Sequence, residues 1–255
     1  MKVITLLTDF GSFYPAQMKG VILSLLRAED VTFVDIAHDI PPQDVRAGAF
    51  ALLSAVRYFP PGTIHIAVVD PEVGTDRAGL AVESGGQIFV GPDNGLLMPA
   101  ARSLGNLRAY RISLPLPAPA PQSLPVSSTF HGRDVFAPAA ALLAEGRSPA
   151  DLGPRVEPEE LNFGEARRTE RGIEAVVIYV DRFGNLILNL SELPAFPVRL
   201  KGINLRRVRT YAEASRIEPL ITQGSHGFAE IAVNQGNAAE VFCLKAGDRV
   251  ELEEI

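Results

Sequence analysis

Polar residues able to do chemistry stand directly behind apolar runs at several points of this chain. Asp9, in Thr8-Asp9-Phe10-Gly11, follows a β-branched run over 3–8. A carboxylate there can accept two hydrogen bonds from a ribose diol, or it can close an Asx-turn at a strand–helix junction. The stretch Asp70-Pro71-Glu72-Val73-Gly74-Thr75-Asp76-Arg77 sets four charges and a tight turn behind the apolar run 64–69. Asp70 and Arg77 can pair across that turn as a fixed dipole, or the loop can simply be solvated. His131, in Phe130-His131-Gly132-Arg133-Asp134, precedes a helical pattern, where an imidazole can serve as a neutral acid or base or as a surface cap. Asp93-Asn94-Gly95 follows another apolar run. Three further segments read first as turns: Asp181-Arg182-Phe183-Gly184-Asn185, Ser225-His226-Gly227-Phe228 and Asn234-Gln235-Gly236-Asn237.

Several chemistries are excluded. Cys243 is the only cysteine, so there is no intrachain disulfide, CxxC knuckle or thiol redox pair. His131 has no partner histidine at i+4, and no metal site is expected. The serine elbow GxSxG, the phosphate loop GxxxxGK[ST] and the dinucleotide loop GxGxxG do not occur, and no cofactor is expected. The chain has 255 residues, 47% hydrophobic and 21% charged, with net charge −6 and a pI near 5.3. That balance argues against nucleic acid as a partner. No run of 18 apolar residues occurs and the chain opens without a basic-then-apolar leader, so neither a membrane partner nor export is expected; the expected location is cytoplasmic.

The elements that must position these residues fall into two groups. The first half alternates: strands over 3–8, 31–36 and 64–69, helices over 16–27 and 45–58 with Asp44 as N-cap, a hairpin pairing 80–83 with 87–90, then helices over 95–104 and 134–145. This predicts an α/β layered domain around a central mixed sheet over 1–155, with a Pro-rich excursion at 113–126. In an open α/β sheet, ligands bind outside the carboxyl ends of the strands, which is where Asp9, Asp70 and Asp93 fall. After a polar stretch the helical patterns vanish. Short strands over 173–180, 186–190, 198–203, 205–209, 228–233 and 249–252 predict a smaller all-β, barrel-like domain over 170–255.

Six segments in order, TDFG, VDP-x-VGT-x-R, GPDNG, TFHGRD-x-FAP, D-x-FGN and Ile-Ala-x-Asn, cover most of the chain. In these the chain resembles the S-adenosylmethionine hydroxide adenosyltransferases, the adenosine-forming S-adenosylmethionine hydrolases, which are related to fluorinating and chlorinating enzymes. The resemblance implies an N-terminal α/β domain, a C-terminal β-barrel and a homotrimer with substrate between subunits. It implies that water attacks ribose C5′ and releases L-methionine and adenosine. It further implies a catalytic set of Asp70, Arg77 and His131, with Asp9 on the ribose diol and Asp181 on the methionine amine. By the same resemblance Asn185 contacts adenine, Ser225 and His226 hold the methionine carboxylate, and the backbone at Val233 and Gln235 meets the adenine edge. The halogenating relatives carry Arg in place of His226, Tyr in place of Asp70 and of His131, and Ser in place of Gly132. This chain has the hydrolase set, which leaves a halogenase, or a slow S-adenosylmethionine or adenosine sensor with vestigial catalysis, as the competing readings.

Overall fold

A computed structural model describes residues 2–26, 30–117 and 126–255 of the chain. They form two units, 1–162 and 163–255. The first runs β1 (Lys2–Thr8), α1 (Tyr14–Leu25), β2 (Val31–Ala37), α2 (Val45–Val56), β3 (Ile64–Val68), β4 (Gly79–Ser84), β5 (Gln87–Pro92), α3 (Met98–Ser103), β6 (Arg108–Arg111), a π-helical turn (Gly132–Phe136), α4 (Ala137–Ala144) and β7 (Arg155–Val156). The sheet order is β2-β1-β3-β5-β4-β6-β7. The four strands β2, β1, β3 and β5 are parallel, whereas β4, β6 and β7 join antiparallel, so the sheet is mixed. Because β1, β3 and β5 are parallel neighbours, their carboxyl ends share one edge. Asp9, Asp70 and Asp93 are thereby set along it.

Alternation along β1 sends its side chains to two faces. Ile4 and Leu6 pack with Met18 and Ile22 of α1 and with Ala139 and Leu143 of α4. Leu7 turns toward α2, where Gly48 allows a close approach: a Cβ there would lie 2.9 Å from Leu96 and 3.0 Å from Val69. Asp44 does cap α2, its carboxylate accepting the Ala47 N–H at 2.9 Å. The helix expected over 134–145 is split. Pro138 has no N–H for the carbonyl of residue 134, so a regular α-turn cannot close there. The wider turn Gly132–Phe136 takes its place, with Ala137 N–H bonded to the Gly132 carbonyl. Arg27, at the end of the helix expected over 16–27, lies outside the described residues, as do residues 118–125 of the Pro-rich stretch.

The second unit contains β8 (Arg167–Arg168), β9 (Gly172–Val180), β10 (Leu186–Leu188), β11 (Val198–Leu200), β12 (Ile203–Arg207), β13 (Pro219–Gln223), β14 (Ala229–Val233), α5 (Ala238–Phe242) and β15 (Arg249–Glu254). The order β10-β14-β13-β12-β11-β15-β9 closes on itself through β9–β10 pairing, which makes a seven-stranded barrel flanked by β8. Closure leaves no open edge among the seven. Val177, Leu186, Leu200, Ile221, Ile231 and Leu252 fill it, and Phe242 of α5 plugs in. The expectation of no helix here missed α5. Five residues are too few to show a helical period, and the cap supplied by Asn237 to Glu240 N–H (3.0 Å) starts the turn.

One core histidine makes stability sensitive to acid. His65, fully buried in β3, has Nδ1 2.8 Å from Thr5 Oγ1 and Nε2 2.8 Å from Gln87 Oε1. The Gln87 amide nitrogen is fixed by donating to the Phe59 carbonyl at 2.8 Å, so Oε1 must accept from the ring. Burial holds the pKa of this neutral ring down at about 4, against 6.5 in the unfolded chain. Between those values the unfolded chain binds a proton and the folded one does not. Stability from this group is therefore full above pH 6.5 and falls by roughly 3 kcal/mol as pH drops to 4. Urea unfolding across that range checks this. His65→Gln, which has no proton to gain, should flatten that part of the curve, and a wild-type curve already flat would contradict it.

Candidate active site

The carboxyl edge of the parallel strands carries a buried group of interacting charges. Asp70 stands two residues past the end of β3. The turn after it folds back, with Val73 N–H on the Asp70 carbonyl (3.3 Å) and Thr75 N–H on that of Glu72 (3.2 Å). Arg77 thus returns over Asp70. Its Nε donates to Oδ1 at 3.1 Å and its Nη2 to Oδ2 in a shorter contact, a bidentate pair with side chains only 5% and 3% exposed. Nη1 donates to the Ala78 carbonyl at 2.5 Å, and the guanidinium lies 5.6 Å from the Phe136 ring centre.

His131, at the mouth of the π-helical turn, brings Nδ1 to 3.4 Å from Arg77 Nη2. A guanidinium only donates, so Nδ1 accepts and the proton of the neutral ring sits on Nε2. Burial and the Arg77 charge both hold the His131 pKa below its usual 6.5. Burial raises the proton affinity of Asp70, with Arg77 opposing. Arg77 and His131 also line a cavity of about 530 Å³ with Arg111, Ser113, Val135 and Phe136. Beside His131, Gly132 is boxed in: a Cβ would lie 3.1 Å from Phe10, 3.2 Å from Phe130 and 3.3 Å from Met18. Any larger residue must push those rings aside.

Asp9 lies past the end of β1, half-buried, with Oδ2 accepting the Gln43 N–H at 2.8 Å. Asp93 and Asn94 act as braces. The Asn94 amide donates to the Val69 carbonyl at 2.9 Å and Asp93 accepts the Glu159 N–H at 2.7 Å.

The barrel unit carries the other expected residues at its turns. Asp181 organises the β9–β10 turn: Oδ1 accepts the N–H groups of Phe183 (2.9 Å) and Asn185 (2.8 Å), and Oδ2 accepts the Asn185 amide (2.9 Å). Leu186 pairs with Ile231, so Asn185 lies toward the end of β14 that leads into Val233 and Gln235. Val233 is buried, and Gln235 takes a left-handed backbone conformation with φ 56°. Ser225 and His226 sit in the β13–β14 turn, at the other end of β14. The five-residue strand separates the two groups by roughly 13 Å, a span suited to an elongated ligand. His226 Nδ1 accepts the Phe228 N–H at 3.2 Å and Nε2 faces Glu230 at 3.4 Å.

Two barrel residues escaped sequence reasoning. Glu230, only 5% exposed within β14, accepts the Tyr211 hydroxyl and meets His226. Burial and the charges of Glu230 and Asp181 push the Tyr211 pKa up. Tyr211, Glu230 and His226 therefore form one cluster at the start of β14. The signal was one carboxylate in the otherwise apolar run Phe228-Ala229-Glu230-Ile231-Ala232-Val233.

Comparison with known proteins gives the two units a common family. The profile of the SAM hydroxide adenosyltransferase N-terminal domain matches residues 4–153, and that of the C-terminal domain matches residues 175–251. The chain belongs to this family. SAM is S-adenosylmethionine. Among relatives of the SAM hydroxide adenosyltransferase family, an (R)-S-adenosyl-L-methionine hydrolase of Thermus thermophilus is 43% identical, with 99% of this chain and 100% of that protein covered. Another of the same name from Salinispora tropica is 40% identical, covering 98% and 97%. A fluorinase of Nocardia brasiliensis is more distant, 28% identical over 98% and 96%. The crystal structure of an uncharacterized conserved protein from Thermotoga maritima matches with TM-score 0.84 and 33% identity, covering 98% and 99%. The mixed sheet and the barrel expected from the sequence are both present in this chain, which shares its fold with that structure.

Proposed function

We propose that the protein hydrolyses S-adenosyl-L-methionine to adenosine and L-methionine by in-line attack of water on ribose C5′. The Asp70–Arg77–His131 contact, in a chain of this family, is the observation that carries the reading. A sulfonium leaves as a neutral thioether, so no general acid is required. The C5′–S bond breaks with its electron pair going to sulfur, the C5′–O bond forms, and water gives up one proton. His131 donates Nε2–H to the water oxygen and, with Arg77, stabilises the hydroxide character that oxygen gains as its proton leaves. Asp70 holds Arg77 and, with its proton affinity raised by burial, receives the proton. Asp9 holds the ribose diol, and Asp181, Asn185, Ser225, His226, Val233 and Gln235 hold the adenine and methionine ends. The hydrolase relatives, named for (R)-S-adenosyl-L-methionine, support the (R) form as the one consumed.

The substrate sites are proposed to lie between subunits of a homotrimer, for which a solution mass near three times 27.4 kDa is the check. A closed ring of heterologous interfaces would hold three equivalent sites. Among the described residues no helix is long and apolar enough to cross a membrane. The proposed compartment is the cytoplasm, since a single exposed thiol and no disulfide suit a reducing environment.

Incubation with S-adenosylmethionine should yield adenosine and methionine in equal amounts, and EDTA should leave the rate unchanged. Failure to form either product contradicts the reading. Inhibition by EDTA that one divalent metal reverses overturns the metal-free mechanism.

A further inference from the structure

A second line of polar side chains ends at Asp9 from the opposite direction. Lys19 of α1 donates to Asp35 Oδ2 of β2 at 2.6 Å. Asp35 Oδ1 lies 3.0 Å from His38 Nε2, off the axis of an ideal hydrogen bond, so the contact is chiefly electrostatic. A carboxylate beside Nε2 favours the proton there, which leaves Nδ1 as an acceptor. Nδ1 faces Thr8 Oγ1 at 2.9 Å, so the buried Thr8 hydroxyl donates to it. The same oxygen accepts the Phe10 N–H at 3.3 Å, and the His38 carbonyl accepts the Gly11 N–H at 2.9 Å. Asp9 is flanked on both sides by residues tied to His38, while its own carboxylate takes the Gln43 N–H five residues further along that loop.

The order Asp35–His38–Thr8 looks like a nucleophile triad, but Thr8 is fully buried and has no access to a substrate. The line has a different use. A carboxylate that must meet two hydroxyls of a ribose needs a fixed backbone, and beyond Thr8, the last residue of β1, the segment 9–11 has no helix or strand of its own to fix it. We infer that His38 is a positioning residue for substrate binding: through Thr8 and Gly11 it sets the turn that aims Asp9. This rests on the proposed reading of Asp9 as the group that holds the ribose diol.

Kinetics of His38→Ala, His38→Asn, His38→Gln and Asp9→Ala on S-adenosylmethionine and on its 2′-deoxy analogue test it. Asp9→Ala should raise KM for the natural substrate. His38→Ala should raise KM about tenfold with kcat within about twofold, the size of one lost hydrogen bond in the binding step. On the 2′-deoxy analogue the His38→Ala effect should shrink, because the interaction it serves is already broken. Asn should restore KM, since its Oδ1 takes the place of Nδ1 as acceptor for Thr8, and Gln should not. Should His38→Ala fail to fold, the Asn and Gln pair carries the test. Wild-type KM in a folded His38→Ala alongside an impaired Asp9→Ala overturns the inference and spares the reading of Asp9. Equal losses on both substrates, or rescue by Gln and not Asn, also overturn it. Wild-type KM in Asp9→Ala sinks both.

Discussion

Replacing His131 with alanine is expected to lower kcat about 10³-fold, the cost of one preorganised donor to a developing oxyanion, while the dissociation constant for S-adenosylmethionine moves less than about threefold. The separation follows from geometry. His131 Nδ1 is taken up by Arg77 at 3.4 Å, which leaves Nε2–H for the attacking oxygen rather than for the bound substrate. Steady-state kinetics together with calorimetric titration of the variant measure both quantities. Parallel loss of binding and turnover would make His131 a substrate-holding group. The pH profile adds a sign. Burial and Arg77 hold this imidazole neutral, so its acid limb in kcat should lie below pH 6.5. A limb due to His131 above that value would contradict the arrangement.

Asp70→Ala should remove turnover and also destabilise the fold. Arg77 is 5% exposed and its guanidinium meets both Asp70 oxygens. Without Asp70 a buried cation is left unpaired, which costs about 3–5 kcal/mol. Asp70→Ala combined with Arg77→Met should regain much of that stability, because no buried charge remains, yet stay inactive. Urea unfolding of the two variants separates the structural effect from the chemical one. Unchanged stability in Asp70→Ala would mean that the pair is solvated, and retained activity would take Asp70 out of the mechanism.

Much of the architecture was legible because the first half obeys simple patterning. The buried run over 64–69 reads as a strand covered on both faces, and Asp44 before an apolar helical stripe reads as its cap. The ends of β1, β3 and β5 could be named before their adjacency was known. Their convergence needed the parallel order β1-β3-β5, which no local pattern encodes. Strands β6 and β13 were missed for a related reason. Arg108-Ala109-Tyr110-Arg111 and Pro219-Leu220-Ile221-Thr222-Gln223 are short and partly polar, and they are held in place by their neighbours rather than by their own propensity. Asp181–Asn185 forms the turn that its Asp-x-x-Gly-Asn pattern predicts. What the sequence could not convey is that the residues offered as ligands also hold that turn together. Glu230, inside β14, and His38, just past β2, stayed hidden because their partners Tyr211 and Thr8 lie 19 and 30 positions away.

Hydrolysis in ¹⁸O-labelled water, on substrate carrying deuterium in one C5′ position, tests the central claim most directly. In-line attack by a water held beside His131 and Arg77 predicts ¹⁸O in the 5′-hydroxyl of adenosine and inversion at C5′. Label in another position, or retention at C5′ through a covalent intermediate, would contradict it.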